Sequence, residues 1–524
     1  MQIARPRTPE ETAAMDGITE AHGDDWDPFG RPLFDDPADE WLKRVGVVDV
    51  GSNSVRLVIF DGAARSPAYF YNEKIMAGLG AGFSETGRLN PEGRKRALSA
   101  LLRFKLLAED FRMAPLTAVA TAAVRNAEDG QDFCDEVMRE TGIKLWVIDG
   151  EEEARLSAQG VLLGWPDATG SVCDIGGSSM ELASLTEGEI GACMSSPLGP
   201  LQLQGLKTKK ARLKHIRATI EDMAERLGPH QDRLYLVGGS WRAIARHDML
   251  RRDYPLHVLH EYRMSPKQLR DTLNWIPEND VDDLAARTGT SSTRMALVPI
   301  ACEVLKELIG VLKPREIAIS SYGIREGMLY QQMPEELRHR DPLIEACRHA
   351  EQKDARRPGF GRALHRFVSP LFDSAPATRQ RVIQAACLLH DVNWRAHPDY
   401  RHEACFDYVT RAALGGLTHS SRIFMGVALL HRYKNSRAET RFDPLINMLP
   451  EADLHQAEVL GKAMRFGSML TADLDENIGA LNWNPKKKKL ELSLGDRAKG
   501  LFGEVAEARF QSLASTLGAE AKVS

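Results

Sequence analysis

Asp49-Val50-Gly51-Ser52-Asn53-Ser54 is the stretch that decides the fold, because its pattern returns as Asp174-Ile175-Gly176-Gly177-Ser178-Ser179. In each copy an apolar run ends in an aspartate, a turn of small residues follows, and a second alternating run begins. This order predicts a β-hairpin with a tight turn. Two aligned copies at this separation favour two duplicated halves over two unrelated turns.

Both turns have the composition of a phosphate-binding loop. Glycine allows backbone conformations, at φ values that other residues avoid, in which successive N–H groups point the same way. Together with Ser and Asn side chains, these groups form a concave nest for an anion. A strand that breaks into small residues before a helix is a third such element. The expected phosphate contacts are Gly51, Ser52, Asn53 and Ser54, Gly176, Gly177, Ser178 and Ser179, and Gly238, Gly239 and Ser240.

An aspartate precedes each turn, Asp49 in the first copy and Asp174 in the second. A carboxylate at this place would repel a phosphate held in the turn. Its presence therefore implies a divalent cation between the two groups.

The composition limits the class of protein. A chain of 524 residues is too long for one core, and 43% hydrophobic with 27% charged residues is ordinary for a soluble protein. No apolar run is long enough to span a bilayer, and the N-terminus lacks the layout of a signal peptide. Seven cysteines without paired spacing predict reduced thiols in the cytoplasm. A net charge of −5 gives no sign of a nucleic-acid partner.

The order of the patterns divides the chain. Residues 1–43 are acidic and rich in proline, and we expect a disordered or loosely docked tail. Strand and helix patterns alternate in two α/β halves, placed at 44–168 and 169–333. Helices alone are predicted over 334–475, and residues 476–524 form an extension with a lysine run and a terminal helix. The expected fold is a duplicated α/β core with an appended all-α region.

Six motifs resemble, in register, the exopolyphosphatase / guanosine pentaphosphate phosphohydrolase family of the actin-like ATPase superfamily. The resemblance runs from about Val45 to Tyr330. Its motifs are Asp49–Ser54, Gly78–Gly82, Ala120–Arg125, Gly150–Arg155, Asp174–Glu181 and Gly323–Gly327. It implies an actin-like (ribonuclease H-like) two-domain core and a homodimer. It also implies Mg²⁺-dependent removal of a terminal phosphate from inorganic polyphosphate or guanosine pentaphosphate.

The resemblance assigns roles to single residues. The general base of the family, the second Glu of Gly-x-Glu-Glu-Ala, falls on Glu153, which would orient the attacking water. The motif arginine falls on Arg125, whose planar fork matches phosphate oxygens. The metal-associated carboxylates fall on Asp174 and Glu181, which with Asp49 are hard oxygen ligands that suit Mg²⁺.

Simpler explanations stay open for two of these groups. Acidic side chains such as Glu151–Glu153 are common in the first turn of any helix, where they suit its dipole. Glu181 would, in the simpler case, pair with a neighbouring cation. The segment Ala122–Arg125, after the predicted strand Leu116–Thr121, is interpreted as a loop.

The chain departs from the family pattern at two places. Ser178 replaces the third glycine of the second turn, and Met180 replaces a threonine. If position 178 requires a positive φ, the serine there is strained by about 1–3 kcal/mol. Met180 lacks a hydroxyl that would otherwise be available to phosphate.

The helical region contains His390-Asp391, which is similar to the motif of HD phosphohydrolases. A working HD site needs an upstream His and a distal Asp, for which His365 and Asp473 or Asp475 are the candidates. We favour a metal-free, HD-like structural module. The lysine runs Lys207–Lys214 and Lys486–Lys489 are candidates to line a path for long anionic chains, or are solvated surface.

Three functional hypotheses follow. The leading one is an Mg²⁺-dependent exopolyphosphatase. The second is a guanosine pentaphosphate 5′-phosphohydrolase, which needs a pocket for the base. The third is a regulator that binds a phosphate ligand without hydrolysing it; the presence of Glu153 and Arg125 argues against this one. A kinase of the same fold would need a site for an acceptor hydroxyl, and no motif indicates one.

Overall fold

The computed structural model describes residues 44–61, 65–113, 115–206, 208–228, 232–436, 440–471 and 478–524, so the N-terminal tail lies outside it. Strands and helices alternate through the first lobe. The strands are β1 (Val45–Val50), β2 (Val55–Phe60), β3 (Tyr69–Ile75), β4 (Thr117–Ala120) and β5 (Leu145–Val147). The helices are α1 (Phe83–Thr86), α2 (Pro91–Asp110), α3 (Ala122–Asn126), α4 (Gly130–Thr141) and α5 (Gly150–Gly164).

The sheet of the first lobe has the order β3-β2-β1-β4-β5, with β1 antiparallel to β2 and parallel to β4. Side chains of β1 alternate between two cores, so Val48 and Val50 pack on one face and Val47 on the other. Both faces are covered, which explains the continuous apolar run at this place in the sequence.

The second lobe repeats this plan. Its strands are β6 (Gly170–Ile175), β7 (Met180–Thr186), β8 (Glu189–Ser196), β9 (Arg233–Val237), β10 (Arg263–Met264) and β11 (Glu316–Ile319). Its helices are α6 (Pro200–Leu203), α7 (Lys209–Leu227), α8 (Gly239–Arg251), α9 (Pro266–Trp275), α10 (Val281–Thr288), α11 (Ser292–Met295), α12 (Val298–Leu312) and α13 (Ile324–Gln332), with a 3₁₀ turn at Ile276–Glu278.

The order of this second sheet is β10-β11-β9-β6-β7-β8. Its strands β8, β7, β6, β9 and β11 repeat the order of the first sheet. The registers also correspond, since Asp49 lies opposite Arg56 in β1–β2 and Asp174 lies opposite Glu181 in β6–β7. The predicted duplication and both hairpins are therefore present.

Helices α5 and α13 pack against each other between the two sheets, and glycines let their backbones approach. A Cβ atom on Gly327 would lie 1.8 Å from the carbonyl oxygen of Leu156, and one on Gly160 would lie 2.3 Å from that of Gly323. No larger residue fits at Gly160 or Gly327 without separating the helices. The contact fixes the start of α5 relative to the start of α13.

The third region is mostly helical. Its helices are α14 (Glu335–Arg338), α15 (Pro342–Asp354), α16 (Phe360–Val368), α17 (Ala377–Leu388), α18 (Arg401–Arg411), α19 (His419–Tyr433), α20 (Asp443–Ile446), α21 (Glu451–Leu470), α22 (Asp496–Lys499) and α23 (Glu504–Thr516), with 3₁₀ turns at Ser369–Phe372 and Leu389–Asp391. A small sheet of order β12-β13-β14 joins them, made of β12 (Gly479–Asn484), β13 (Lys489–Leu494) and β14 (Glu520–Val523). The sequence analysis missed this sheet.

The helical region is docked on both lobes. Ser66 in the first lobe donates a hydrogen bond to the carbonyl of Ala413 at 3.0 Å, and His419 Nε2 lies 3.0 Å from the carbonyl oxygen of His260 in the second lobe. The fully buried Arg65 donates to the carbonyls of Leu163 at 2.6 Å and Arg338 at 3.1 Å. These contacts join all three regions around the C-terminal end of α5.

Candidate active site

The two hairpin turns face each other across the gap between the lobes. The N–H of Gly51 donates to the carbonyl of Ser54 at 3.0 Å, and the N–H of Gly176 donates to that of Ser179 at the same distance. The turns touch directly, because the hydroxyl of Ser178 donates to that of Ser52 at 3.1 Å. The sequence predicts twin turns, and the structure brings them together.

The prediction that the glycines of these turns adopt φ values that other residues avoid is wrong. None of their residues, all of which the structure describes, is among those with a positive φ. Space is tight only at Gly177, where a Cβ would lie 3.0 Å from Leu201 Cδ1, whereas a Cβ on Gly51 or Gly176 would come no closer than 3.5 Å to its neighbours. Since Ser178 also lacks a positive φ, replacement of the usual glycine there introduces no backbone strain.

Most of the predicted site residues line one cleft between the lobes. They are Asp49, Gly51–Ser54, Glu153, Asp174, Gly176, Gly177, Ser179, Glu181 and Gly238–Ser240. Ser178 and Arg125 line an adjoining cavity instead. Thus the structure brings the predicted residues together from distant parts of the chain, except that Ser178 and Arg125 face the adjoining cavity.

Gly238 has a real conformational requirement. Its φ is +108°, and a Cβ there would lie 2.8 Å from Asp174 Oδ1. The next residue, Gly239, supports the guanidinium of Arg294, since a Cβ on it would overlap the Nη1 atom. The small residues that end β9 therefore let an arginine and an aspartate approach the same backbone.

The three glutamates at the start of α5 have different environments. Asp149 caps the helix by accepting the N–H of Glu152 at 2.8 Å. Glu151 is exposed, and Glu152 pairs with Arg155, whose Nε donates to it at 2.7 Å. Only Glu153 is buried and lines the cleft. The helix-dipole explanation suffices for the first two glutamates and leaves the third unexplained.

Burial raises the pKa of Glu153 to about 7, and the nearby Arg125 opposes this shift. Arg125 Nη1 donates to Glu153 Oε2 at 3.2 Å and to the carbonyl of Ile148 at 2.8 Å. A carboxylate with a pKa near neutrality is well suited to accept a proton from water. Arg125 contacts Glu153 and does not line the cleft, so its geometry makes it a positioning residue; direct contact with phosphate stays a prediction. It lies on α3, a short helix where a loop was expected.

The other carboxylates form an acidic wall, in which Glu181 is buried and Asp49 and Asp174 are partly exposed. Ser157 Oγ donates to Asp174 Oδ2 at 2.5 Å, and Ser195 Oγ donates to Glu181 Oε1 at 2.9 Å. Burial raises the pKa of Glu181, and the charges of Glu153 and Asp174 raise it further. Burial likewise raises the pKa of Asp49, which Arg325 partly offsets.

These donors fit a hard divalent cation that shares its shell with substrate. Within the described ranges no group of three or more His, Cys, Asp or Glu side chains is close enough to hold an ion alone. Mg²⁺ typically takes one or two carboxylates and completes its shell with waters and phosphate oxygens. Asp174, Glu181 and Asp49 are the residues that would hold it, and a cation bound there would offset the repulsion between these carboxylates.

The sequence analysis gave no role to five basic side chains in the cleft, although one of them, Arg325, lies in the motif Gly323–Gly327. They are Arg56, Lys74, Arg242, Arg294 and Arg325. They come from both lobes and from separate strands and helices, so no local motif marks them as a set. Arg56 and Lys74 are paired across β2 and β3, and Arg325 Nη1 lies 3.4 Å from Asp49 Oδ2.

The basic side chains are close enough to lower one another's pKa. Burial, together with the charges of Arg294 and Arg56, lowers the pKa of Lys74 to about 8. Burial also lowers the pKa of Arg242 to about 10, helped by Arg325 and Arg294. Such a concentration of positive charge is unfavourable unless an anion binds there.

The His-Asp pair of the helical region has protein partners. Arg356 binds Asp391 in a bidentate manner, with Nε at 2.8 Å from Oδ2 and Nη2 at 2.6 Å from Oδ1. His390 Nδ1 lies 2.8 Å from the carbonyl oxygen of Cys387. The proposed distal partners Asp473 and Asp475 lie outside the described residues, and the HD-like assignment stays a prediction.

The two lysine runs are placed only in part. Lys207 lies outside the described residues, and α7 begins at Lys209. Lys486–Lys488 form the exposed turn between β12 and β13, and Lys489 pairs with Glu491 at 2.7 Å. A path for long chains along them stays a prediction. Of the helices in the described ranges, none has the length and apolar character to cross a bilayer.

Comparison with known proteins places this cleft in context. Retrograde regulation protein 2 of Saccharomyces cerevisiae is 25% identical over 437 residues, which are 75% of this chain and 73% of the relative. Exopolyphosphatase 1 of Mycobacterium tuberculosis is 26% identical over 306 residues, or 56% of this chain and 89% of the relative. An exopolyphosphatase structure from Cytophaga hutchinsonii shares the fold, with a TM-score of 0.50 and 24% identity over 55% of this chain and 97% of that one.

The family models agree with these relatives. The model described as "Exopolyphosphatase, C-terminal" matches residues 361–523. The model of the Ppx/GppA phosphatase family matches residues 58–336, which contain the second turn and most of the cleft lining, while Asp49, the first turn and Arg56 lie just before the match. The chain belongs to the Ppx/GppA phosphatase family, and its mixed α/β two-domain core has the actin-like ATPase fold of that family.

Proposed function

We propose that the protein is an exopolyphosphatase, which releases terminal orthophosphate from inorganic polyphosphate with Mg²⁺. The observation that carries the proposal is the composition of the cleft, where five basic side chains meet an acidic wall. A polyphosphate chain needs distributed positive charge along its length, whereas hydrolysis needs a base and a cation at its end. The basic side chains suit the first requirement, and Glu153 with carboxylates that would hold a cation suits the second.

In the proposed step, Glu153 orients a water against the terminal phosphorus. The water oxygen forms a bond to that phosphorus while the bridging P–O bond breaks. The shortened chain keeps the electron pair of the broken bond, and the proton of the water passes to Glu153. Arg125 holds the Glu153 carboxylate in place through the bond at 3.2 Å.

Mg²⁺, when bound by Asp174, Glu181 or Asp49, would neutralise phosphate oxygens and the charge that develops on the leaving chain. The residues of the chain do the rest. Arg56 and Arg325 lie beside Asp49 at the first turn and can bind oxygens of the substrate. The N–H groups and hydroxyls of both turns limit where the terminal phosphate can lie.

Polyphosphate fits the cleft better than guanosine pentaphosphate. Of the described residues that line the cleft, none is aromatic, so a guanine base finds no ring to stack on there. The largest apolar side chains are aliphatic, such as Met76 and Leu297. This absence favours a substrate without a base.

The test is phosphate release from long-chain polyphosphate and, at matched concentration, from guanosine pentaphosphate, each with Mg²⁺ and with EDTA. We expect Mg²⁺-dependent release that is faster from polyphosphate. Faster release from guanosine pentaphosphate would transfer the assignment to the second hypothesis.

A non-hydrolytic regulator is the other candidate, because Retrograde regulation protein 2, which matches 75% of this chain, is named as a regulation protein. Binding of polyphosphate without any phosphate release would support it. A homodimer and a cytoplasmic location stay predictions, which sizing in solution and localisation would check.

A further inference from the structure

A second cavity lies behind the hairpin turns, and its lining shares Ala122 and Ser179 with that of the cleft. We call it the rear pocket. Its volume is about 230 Å³, many times what one water requires. Both lobes supply its wall, including Ala123, Arg125, Asn126, Ser178, Ser196 and Gln202.

The pair Arg125–Glu153 lies between the two cavities. Glu153 lines the cleft and Arg125 lines the rear pocket, and the two side chains meet at 3.2 Å. A phosphoryl group that reacts beside Glu153 is therefore close to the rear pocket. The rest of the substrate chain would then lie in the cleft, which the five basic side chains line.

The two cavities differ in charge. Among the described residues, Arg125 is the one charged side chain that lines the rear pocket, and the remainder are small, polar or apolar. Its Nη1 donates hydrogen bonds to Glu153 and to the carbonyl of Ile148, while its Nε and Nη2 donate to no other residue in the described part of the chain. One guanidinium with free donors and nearby hydroxyls suits a single small oxyanion and cannot hold a polyphosphate chain.

We infer that the rear pocket binds orthophosphate as it leaves, while the shortened chain stays in the cleft. The inference rests on the proposed function, in which the released phosphate carries the oxygen of the attacking water. That oxygen enters on the side away from the chain, so the product is formed at the rear of the turn. Exit through the cleft would require the chain to dissociate first.

Gln202 is the residue with which to test this. It lines the rear pocket, it is exposed, and it lies outside the proposed catalytic set. Gln202→Glu places a negative charge beside the pocket and Gln202→Lys places a positive one, so the two variants are matched controls. We expect inorganic phosphate to inhibit wild-type turnover without competing with polyphosphate.

The inhibition constant for phosphate should rise by about threefold or more in Gln202→Glu and fall in Gln202→Lys, because one unit charge at this range acts on the anion. The KM for polyphosphate should change little in either variant. Purely competitive inhibition by phosphate, or one inhibition constant in all three proteins, would overturn the inference.

A binding measurement separates this inference from the proposed function. The Glu153→Gln variant, with excess polyphosphate in the cleft, is titrated with inorganic phosphate and followed by ³¹P NMR, with Gln, Glu or Lys at position 202. Suppose that the affinity for phosphate decreases from Lys to Gln to Glu at position 202, and that the wild-type protein does not hydrolyse polyphosphate. This result would support phosphate binding in the rear pocket and contradict the exopolyphosphatase activity. Normal hydrolysis of polyphosphate, with a phosphate affinity that does not depend on the residue at position 202, would contradict phosphate binding in the rear pocket and support the exopolyphosphatase activity.

Discussion

The two hairpins share one backbone and carry opposite charges. At the position that faces the aspartate across the ladder, the first lobe has Arg56 and the second has Glu181. Lys74 adds a second positive charge beside Arg56, and Glu153, from α5 of the first lobe, lies near Glu181. The duplicated frame has thus become asymmetric: the first hairpin pairs its aspartate with an arginine that suits an anion, and the second pairs its aspartate with another carboxylate that suits a cation.

The largest expected effect tests the negative side. Glu153→Gln removes the proton acceptor and keeps the shape of the side chain, so kcat should fall by about 10²–10⁴-fold. Binding of polyphosphate and the melting temperature should stay near those of the wild type. Steady-state phosphate release measures the change.

The control is Glu151→Gln, on an exposed glutamate in the same helical turn, which should leave kcat near wild type. Equal losses in the two variants would show that α5 needs its acidic start for stability. Near-normal release by Glu153→Gln would remove the base from the mechanism.

The paired positions give the next effect. Arg56→Gln should raise the KM for polyphosphate by about tenfold or more, since a charged hydrogen bond contributes about 1.5–3 kcal/mol. Glu181→Gln should instead raise the Mg²⁺ concentration needed for half-maximal rate. The comparison fails if each variant changes both quantities alike.

Arg88→Gln, at an exposed position of the first lobe outside the cleft lining, is the matched control for the loss of one positive charge. Its KM should match that of the wild type at moderate salt, where charges separated by more than about 8–10 Å are screened.

The pH dependence of kcat/KM should report both the acidic group Glu153 and the basic group Lys74. Glu153 must be ionised to act as base, and its pKa is raised to about 7 by burial, so kcat/KM should rise as pH increases through 7. Lys74 is charged below a pKa of about 8, so kcat/KM should fall above pH 8. Lys74→Arg stays charged and should lose the alkaline limb; a limb that persists must come from another group.

The smallest effect concerns the contact between the turns. Ser178→Gly removes the 3.1 Å bond to Ser52 and adds freedom to the unfolded chain, so it should lower the free energy of unfolding by about 0.5–1.5 kcal/mol. Denaturant unfolding measures it. A gain in stability would mean that the serine is strained after all.

What the sequence could predict follows from how local each signal is. The turns at Asp49 and Asp174 and the start of α5 depend on adjacent residues, so they were located correctly. The basic cluster depends on Lys74, Arg242 and Arg294, which meet only when two sheets and several helices assemble. The strands β12–β14 were missed because they are short and partly exposed, and because β14 joins the hairpin of β12 and β13 only after an intervening helix.

The far end of α5 gives the helical region an influence on chemistry that it does not touch. Arg65 binds the last carbonyls of this helix together with that of Arg338, about 15 Å along the axis from Glu153 at 1.5 Å per residue. Because α5 is a rigid helix held at its C-terminal end, a small rotation there also moves Glu153 at its N-terminal end. A substitution of Arg65, or a loss of order around Arg338, should therefore displace the Glu153 carboxylate and lower kcat before it unfolds the protein.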